Sequence, residues 1–121
     1  MKVLLADDSK IILDRLGKML EENKNIDIVD KSENALTAYT QIKKIKPDLV
    51  VLDIKMPGGD GINLLKKIKN EMPWIKVIML TNYNEQIYKE ECFNAGAEYF
   101  LDKSNEFEKV LQIITELAKA S

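Results

Sequence analysis

The sequence predicts an α/β domain built on a five-stranded parallel sheet, and three observations predict it. Short apolar segments alternate with longer segments of helical periodicity, five times over, as strands and helices taken in turn would. Three of the short segments, Val3-Leu4-Leu5, Leu49-Val50-Val51-Leu52 and Val77-Ile78-Met79-Leu80, are unbroken apolar runs. Strands buried on both faces look like this, and they sit in parallel sheets covered by helices. The chain has 121 residues, which fits one domain over residues 1–121 and leaves no room for a second. Right-handed crossovers then leave few topologies open.

The first strand is expected at Lys2–Ala6. Ser9 is a good N-cap for the first helix, whose apolar positions Ile12, Leu16, Met19 and Leu20 recur at helical spacing. A second strand is expected at 27–31, and Ser32 then precedes a helical pattern of Ala35, Tyr39, Ile42 and Ile45. The third strand is Leu49–Leu52, and a third helix carrying Leu64, Leu65 and Ile68 stops near Pro73. A fourth strand at 76–80 leads to a helix marked by Tyr88, Cys92 and Ala95, with Gly96 placed to close it. The fifth strand is expected at 98–101. The last helix follows Ser104 and has the clearest stripe: Phe107, Val110, Leu111, Ile114 and Leu117.

Bulk properties exclude several classes of function. The composition is 45% hydrophobic and 31% charged, ordinary for a globular chain. Lys and Arg number 18 against 20 Asp and Glu, a net charge of −2, so no field draws the chain to nucleic acid. The lone Cys92 cannot form an intramolecular disulfide and reads as a small buried hydrophobe rather than a reactive thiol. The apolar run at the N-terminus is too short for a signal peptide and ends in two acids. No stretch approaches the roughly 20 apolar residues that span a bilayer, so a cytoplasmic location away from membranes is expected. Histidine is absent, which excludes a His base, nucleophile or ligand on this chain. The start at Met1 and the small-residue end favour a full-length protein over a fragment of a larger regulator.

In open parallel sheets, ligands bind beyond the carboxyl ends of the strands. The residues expected there are Asp7, Asp8, Asp53, Thr81 and Lys103. Carboxylates gathered that closely repel one another, and a hard divalent cation relieves the repulsion. Mg²⁺ suits the set, because it takes oxygen ligands from one or two carboxylates together with phosphate oxygens. A carboxylate can also act as a nucleophile and form an acyl phosphate. Asp53 stands alone at the end of the central strand and is the candidate nucleophile; the adjacent Asp7 and Asp8 are better suited to holding metal. Lys103 supplies a further positive charge and Thr81 a hydroxyl donor. The loop Ile54-Lys55-Met56-Pro57-Gly58-Gly59-Asp60-Gly61 forms a tight irregular turn that can aim the Lys55 carbonyl at the metal. Taken alone, Asp7-Asp8 is a strand end capping a helix, Thr81 a strand-end hydroxyl, Lys103 a solvated charge and Phe100 a core residue.

Together these residues resemble the response-regulator receiver family of bacterial two-component signalling, over essentially the whole chain. The resemblance is carried by Val3-Leu4-Leu5-Ala6-Asp7-Asp8-Ser9, Pro47 to Pro57 around Asp53, Asp60-Gly61, Leu80-Thr81 and Ala95 to Lys103. It implies a flavodoxin-like (βα)5 three-layer sandwich with strand order 2-1-3-4-5. It implies that Asp53 accepts a phosphoryl group from a sensor histidine kinase or a histidine phosphotransfer protein. Mg²⁺ would be held by Asp8, Asp53 and the Lys55 carbonyl, with Asp7 acting through water. Thr81 and Phe100 would form a switch pair, and Lys103 would pair with the phosphoryl group. Output would pass to a downstream protein, or onward by phosphorelay. The fourth helix, fifth strand and fifth helix would change on phosphorylation and offer a homodimer surface.

Four departures from the family's common pattern matter, one of them a pair of positions. Ser104 follows Lys103 where Pro is frequent, which removes the reason to expect a cis peptide there. Asn82 follows Thr81 where a small residue is common and is expected to crowd the site. Lys55 and Tyr83 flank the pocket at positions that tune phosphoryl lifetime, and slow self-hydrolysis is expected. Phe100 stands where Tyr is frequent. The competing readings are an Asp-nucleophile phosphohydrolase and a pseudo-receiver. The first needs a second acid two residues after the nucleophile, where Lys55 stands. The second conflicts with the complete acid set. The expected activity is therefore not that of a general enzyme, but of a chain catalysing only its own phosphorylation and dephosphorylation.

Overall fold

The computed structural model describes residues 1–120. In chain order the elements are β1 (Lys2–Ala6), α1 (Lys10–Glu21), β2 (Asp27–Ser32), α2 (Ala35–Ile45), β3 (Leu49–Leu52), β4 (Lys55–Met56), β5 (Gly59–Asp60), α3 (Gly61–Glu71), β6 (Lys76–Thr81), α4 (Gln86–Asn94), β7 (Tyr99–Asp102) and α5 (Phe107–Ala120). Five strands form one parallel sheet in the order β2-β1-β3-β6-β7. Counting only these five, that is the expected order 2-1-3-4-5. The short β4 and β5 pair antiparallel across Pro57-Gly58, a ladder where the sequence predicts only an irregular turn.

Successive strand side chains point to opposite faces, so each strand supplies two cores. Leu4, Val50, Leu52, Val77, Met79 and Phe100 pack with α2, α3 and α4 on one face. Val3, Leu5, Leu49, Val51, Ile78, Leu80 and Leu101 pack with α1 and α5 on the other. This explains the unbroken apolar runs: both faces of the central strands are covered, and every residue of β3 is buried.

The helix boundaries follow their caps. The Ser9 hydroxyl accepts from the Ile12 N–H at 3.3 Å, as expected for an N-cap. The second helix is capped by Asn34, which accepts from the Thr37 N–H at 2.8 Å, rather than by Ser32. Ser32 instead ends β2: its carbonyl accepts from the Asp7 N–H at 3.0 Å, and its hydroxyl donates to Asp30 at 2.9 Å. Gly96 closes α4 at φ +105°, where its N–H reaches the Phe93 carbonyl and the next N–H, of Ala97, reaches Cys92. That pair of bonds needs a left-handed residue, which glycine adopts without steric cost. The final helix begins at Phe107, the first residue of the expected stripe, after a turn that includes Ser104.

Candidate functional site

The crossovers bring the carboxyl ends of β1, β3, β6 and β7 to one rim. The Asp53 N–H is tied to the Ala6 carbonyl at 3.1 Å and the Lys103 N–H to the Thr81 carbonyl at 3.0 Å, so neighbouring strands carry these residues in register. Asp7 and Asp53 are buried, at 3% and 4% exposure, and Asp8 is exposed. One carboxylate oxygen from each of Asp7, Asp8 and Asp53 lies within 4.8 Å of the others. The sequence-predicted acids therefore do converge.

Lys103 is drawn into the cluster. Its ammonium lies 2.6 Å from Asp7 Oδ2 and 2.8 Å from Asp53 Oδ2, with the side chain only 8% exposed. The remaining oxygens are fixed by backbone donors: Asp7 Oδ1 accepts from the Ser9 N–H at 2.9 Å, and Asp53 Oδ1 from the Ile54 N–H at 2.7 Å. Burial pushes the Asp7 carboxyl above its ordinary value, and the neighbouring Asp53 charge adds to this. Together they outweigh the lowering pull of Lys103 and Ser9. For Lys103, burial opposes the charge, but hydrogen bonds and attraction to Asp53 and Asp7 win and hold its pKa above the ordinary value. The cluster thus holds one cation firmly and still carries more negative charge than its burial favours.

Thr81 is fully buried at the end of β6, and its hydroxyl accepts from the Tyr83 N–H at 3.0 Å. Phe100, paired with Met79 in the sheet, is packed inward at 8% exposure, its ring 6.5 Å from that of Phe93. Lys55 stands exposed at the cleft mouth, its ammonium 5.1 Å from the centre of the Tyr83 ring. Lys55 and Tyr83, with Asp8, Asn82 and Ser104, line an open cleft of about 420 Å³ above Asp53. No cis peptide bond occurs among the described residues, Lys103–Ser104 included.

The donor set fits a hard divalent cation. It offers only carboxylate oxygens, one of them on the exposed Asp8, and opens to a cleft with room for water and an oxyanion. Two residues that belong to the motifs of the sequence, but to which it assigns no individual part in the site, support it. Gly61 passes so close to Asp53 that a Cβ there would overlap the Asp53 carbonyl oxygen. Asp102, buried at 8% exposure, accepts hydrogen bonds from loops on both sides of Lys103. Its position beside Lys103 at a strand end was the only signal for it in the sequence.

Comparison with known proteins agrees with this geometry. The family model for the response regulator receiver domain matches residues 3–115. Chemotaxis protein CheY of Listeria monocytogenes is 31% identical over 119 residues, which are 98% of this chain and 99% of that protein. The transcriptional regulatory protein YesN of Bacillus subtilis is 33% identical over 117 residues, 96% of this chain but 32% of its own length. Fimbriae Z protein of Salmonella typhimurium is 30% identical, and the match covers 53% of it. The chain thus spans from a third to about half the length of several curated relatives. Among solved structures, the response regulator domain of Thermotoga maritima CheB superposes with a TM-score of 0.87 at 27% identity, covering 99% of this chain and 94% of that one. CheY of Borrelia burgdorferi, solved in a complex with CheX, BeF₃ and Mg²⁺, gives a TM-score of 0.88 at 28% identity over 97% of this chain and 88% of that one. The receiver family model spans all the acidic strand ends gathered at this rim, and the chain belongs to the response regulator receiver domain family.

Proposed function

We propose that the chain is a phosphoacceptor signalling switch that takes a phosphoryl group on Asp53. The observation that carries this reading is the convergence of Asp7, Asp8 and Asp53 within 4.8 Å, with the Lys103 ammonium on two of them. Asp7, Asp8, Asp53 and the Lys55 carbonyl would hold Mg²⁺. When bound, the ion would neutralise charge on the transferring phosphoryl oxygens.

This chain's own residues do the rest. An Asp53 carboxylate oxygen attacks phosphorus, forming an O–P bond as the bond from phosphorus to the donor's leaving atom breaks. That leaving atom is an imidazole nitrogen when the donor is a sensor kinase or phosphotransfer protein. Lys103, already against Asp53 Oδ2, pairs with the phosphoryl oxygens as the carboxylate becomes an acyl phosphate. Thr81, released from the Tyr83 N–H, donates its hydroxyl to another of those oxygens. Phe100 packs behind it and passes the change to α4, β7 and α5.

The chain transforms no separate substrate and acts in the cytoplasm. No helix among the described residues is long and apolar enough to cross a membrane. The residue two beyond Asp53 is the exposed Lys55, where an Asp-nucleophile phosphohydrolase needs a second carboxyl group to activate the leaving group. Incubation with acetyl phosphate and Mg²⁺ followed by intact mass tests the reading. One phosphoryl group should be gained, and chelation or Asp53→Asn should abolish the gain. An unmodified mass would defeat it.

A further inference from the structure

Asp102 ends β7 immediately before Lys103, and its carboxylate is buried. Asp102 Oδ1 accepts from the Ser104 N–H at 3.0 Å. Asp102 Oδ2 accepts from the side-chain amides of Asn105 at 2.8 Å and Asn84 at 3.2 Å. The Asp102 N–H donates to Glu106 Oε1 at 3.1 Å, and its carbonyl accepts from the Glu106 N–H at 2.8 Å. A strand-end aspartate that merely shapes the next turn would explain the bonds to Ser104 and Asn105. It would not explain Asn84, which lies 18 residues earlier in the loop between β6 and α4. That loop follows Thr81, and the loop after Asp102 begins with Lys103.

We infer that Asp102 is a positioning residue whose carboxylate clamps the β6–α4 loop to the β7–α5 loop and so fixes the Lys103 ammonium over Asp53. The inference rests on the phosphoacceptor reading for its purpose, though not for its geometry. The Asp102 carboxylate is taken up by Ser104, Asn105 and Asn84 and takes no part in the acid cluster, while its neighbour Lys103 enters that cluster. Lysine is a long side chain with several rotatable bonds, so where its ammonium settles depends on where the backbone at its base is held, and loops are the mobile parts of a fold. Phosphoryl transfer depends on placing charge where it is needed, so an anchor at the base of Lys103 bears directly on rate. Asp102 never touches the phosphoryl group; it acts through Lys103.

The test uses the whole chain and two variants, Asp102→Ala and the milder Asn84→Ala. In metal-free protein, acetylation of the Lys103 amine is followed by peptide mass. Release of the clamp should speed it several-fold in Asp102→Ala and to a smaller degree in Asn84→Ala. Mg²⁺ affinity should stay within about twofold, since the ion's ligands lie elsewhere. Phosphorylation by acetyl phosphate should slow about tenfold in the Lys103 chain, as expected for a misplaced charge. In a Lys103→Ala background the same Asp102→Ala change should do almost nothing. Equal slowing in both backgrounds, or a Lys103 amine that stays protected in both variants, would overturn the inference. Should Asp102→Ala fail to fold, Asn84→Ala with the same two backgrounds decides it. A parent chain that takes no phosphoryl group would count against the phosphoacceptor reading, while the amine readout still judges the clamp.

Discussion

Replacing Gly61 with alanine should damage both the fold and the site, and the size of the effect can be worked from the backbone. A Cβ at position 61 would overlap the Asp53 carbonyl oxygen and stand 2.8 Å from the Asp53 carbonyl carbon and 2.9 Å from Ile54 Cα. Carbon atoms prefer about 3.5–4.0 Å, so the two carbon contacts alone demand a separation of roughly 1 Å, and the overlapping oxygen demands at least that much. The obstacles are backbone atoms, which cannot rotate aside as a side chain would. Overpacking of this kind costs about 1–3 kcal/mol. The Gly61 N–H bond to the Ile54 carbonyl, at 2.6 Å, would be stretched or lost at about 1 kcal/mol more. The sum, about 2–4 kcal/mol, is a large fraction of the ~5–15 kcal/mol by which a domain is stable. Because the clash falls on Asp53 itself, phosphorylation should slow by about 100-fold, the cost of displacing a reacting group by about 1 Å. Urea unfolding and a phosphorylation time course on the same preparation give both numbers. A Gly61→Ala chain within about 0.5 kcal/mol of the parent, labelled at the parent's rate, would refute the reasoning.

Asp7→Asn should stabilise the metal-free chain at neutral pH. Burial first, with the Asp53 charge adding to it, raises the Asp7 pKa above 3.8, so the ionised form is penalised in the fold. For a carboxyl raised in this way, the cost appears as pH climbs from 3.8 through the folded value. Melting curves should therefore show the variant's advantage at pH 7, shrinking as the pH falls toward 3.8. Lys46 caps α2 with φ +54°, a left-handed conformation that strains a residue with a Cβ. Lys46→Gly removes about 1–2 kcal/mol of strain and adds about 0.5–1 kcal/mol of unfolded-state entropy, so denaturation should show a net gain of about 0.5–1 kcal/mol. The Cys92 thiol is fully buried, and burial first, then the charges of Glu91 and Asp60, push its pKa to about 11. Iodoacetamide at pH 8 should leave native Cys92 unmodified and alkylate it on unfolding; rapid native alkylation would contradict its burial.

The parts of the fold legible in the sequence were those dictated by a repeating pattern. Strand β3 could be bounded to the residue because all four of its side chains are buried, so its whole length is apolar. The second helix is legible from its apolar positions between Ala35 and Ile45, but its cap is not, because Ser32 and Asn34 are both good caps. The choice was made by a distant contact, the Asp7 N–H drawing the Ser32 carbonyl into the sheet. The fifth strand starts one residue later than expected because Glu98 is engaged by the Val77 N–H and Lys69 just before the strand begins. The acids of the site were legible since topology alone delivers strand ends to one rim. That Lys103 would lie on both Asp7 and Asp53 was not, because it depends on how a long side chain settles among buried charges. Asp102 escaped for a similar reason: its partners Asn84 and Asn105 belong to two loops whose approach no local pattern encodes.

The central claim is that a covalent acyl phosphate forms on one particular carboxylate. Borohydride reduces an acyl phosphate to the alcohol, which would turn a phosphorylated aspartate into homoserine and leave free carboxylates untouched. Peptide mass after treatment with acetyl phosphate, Mg²⁺ and borohydride should find homoserine at position 53 alone. Homoserine at position 7 or 8, or a chain with every aspartate intact, would contradict the account.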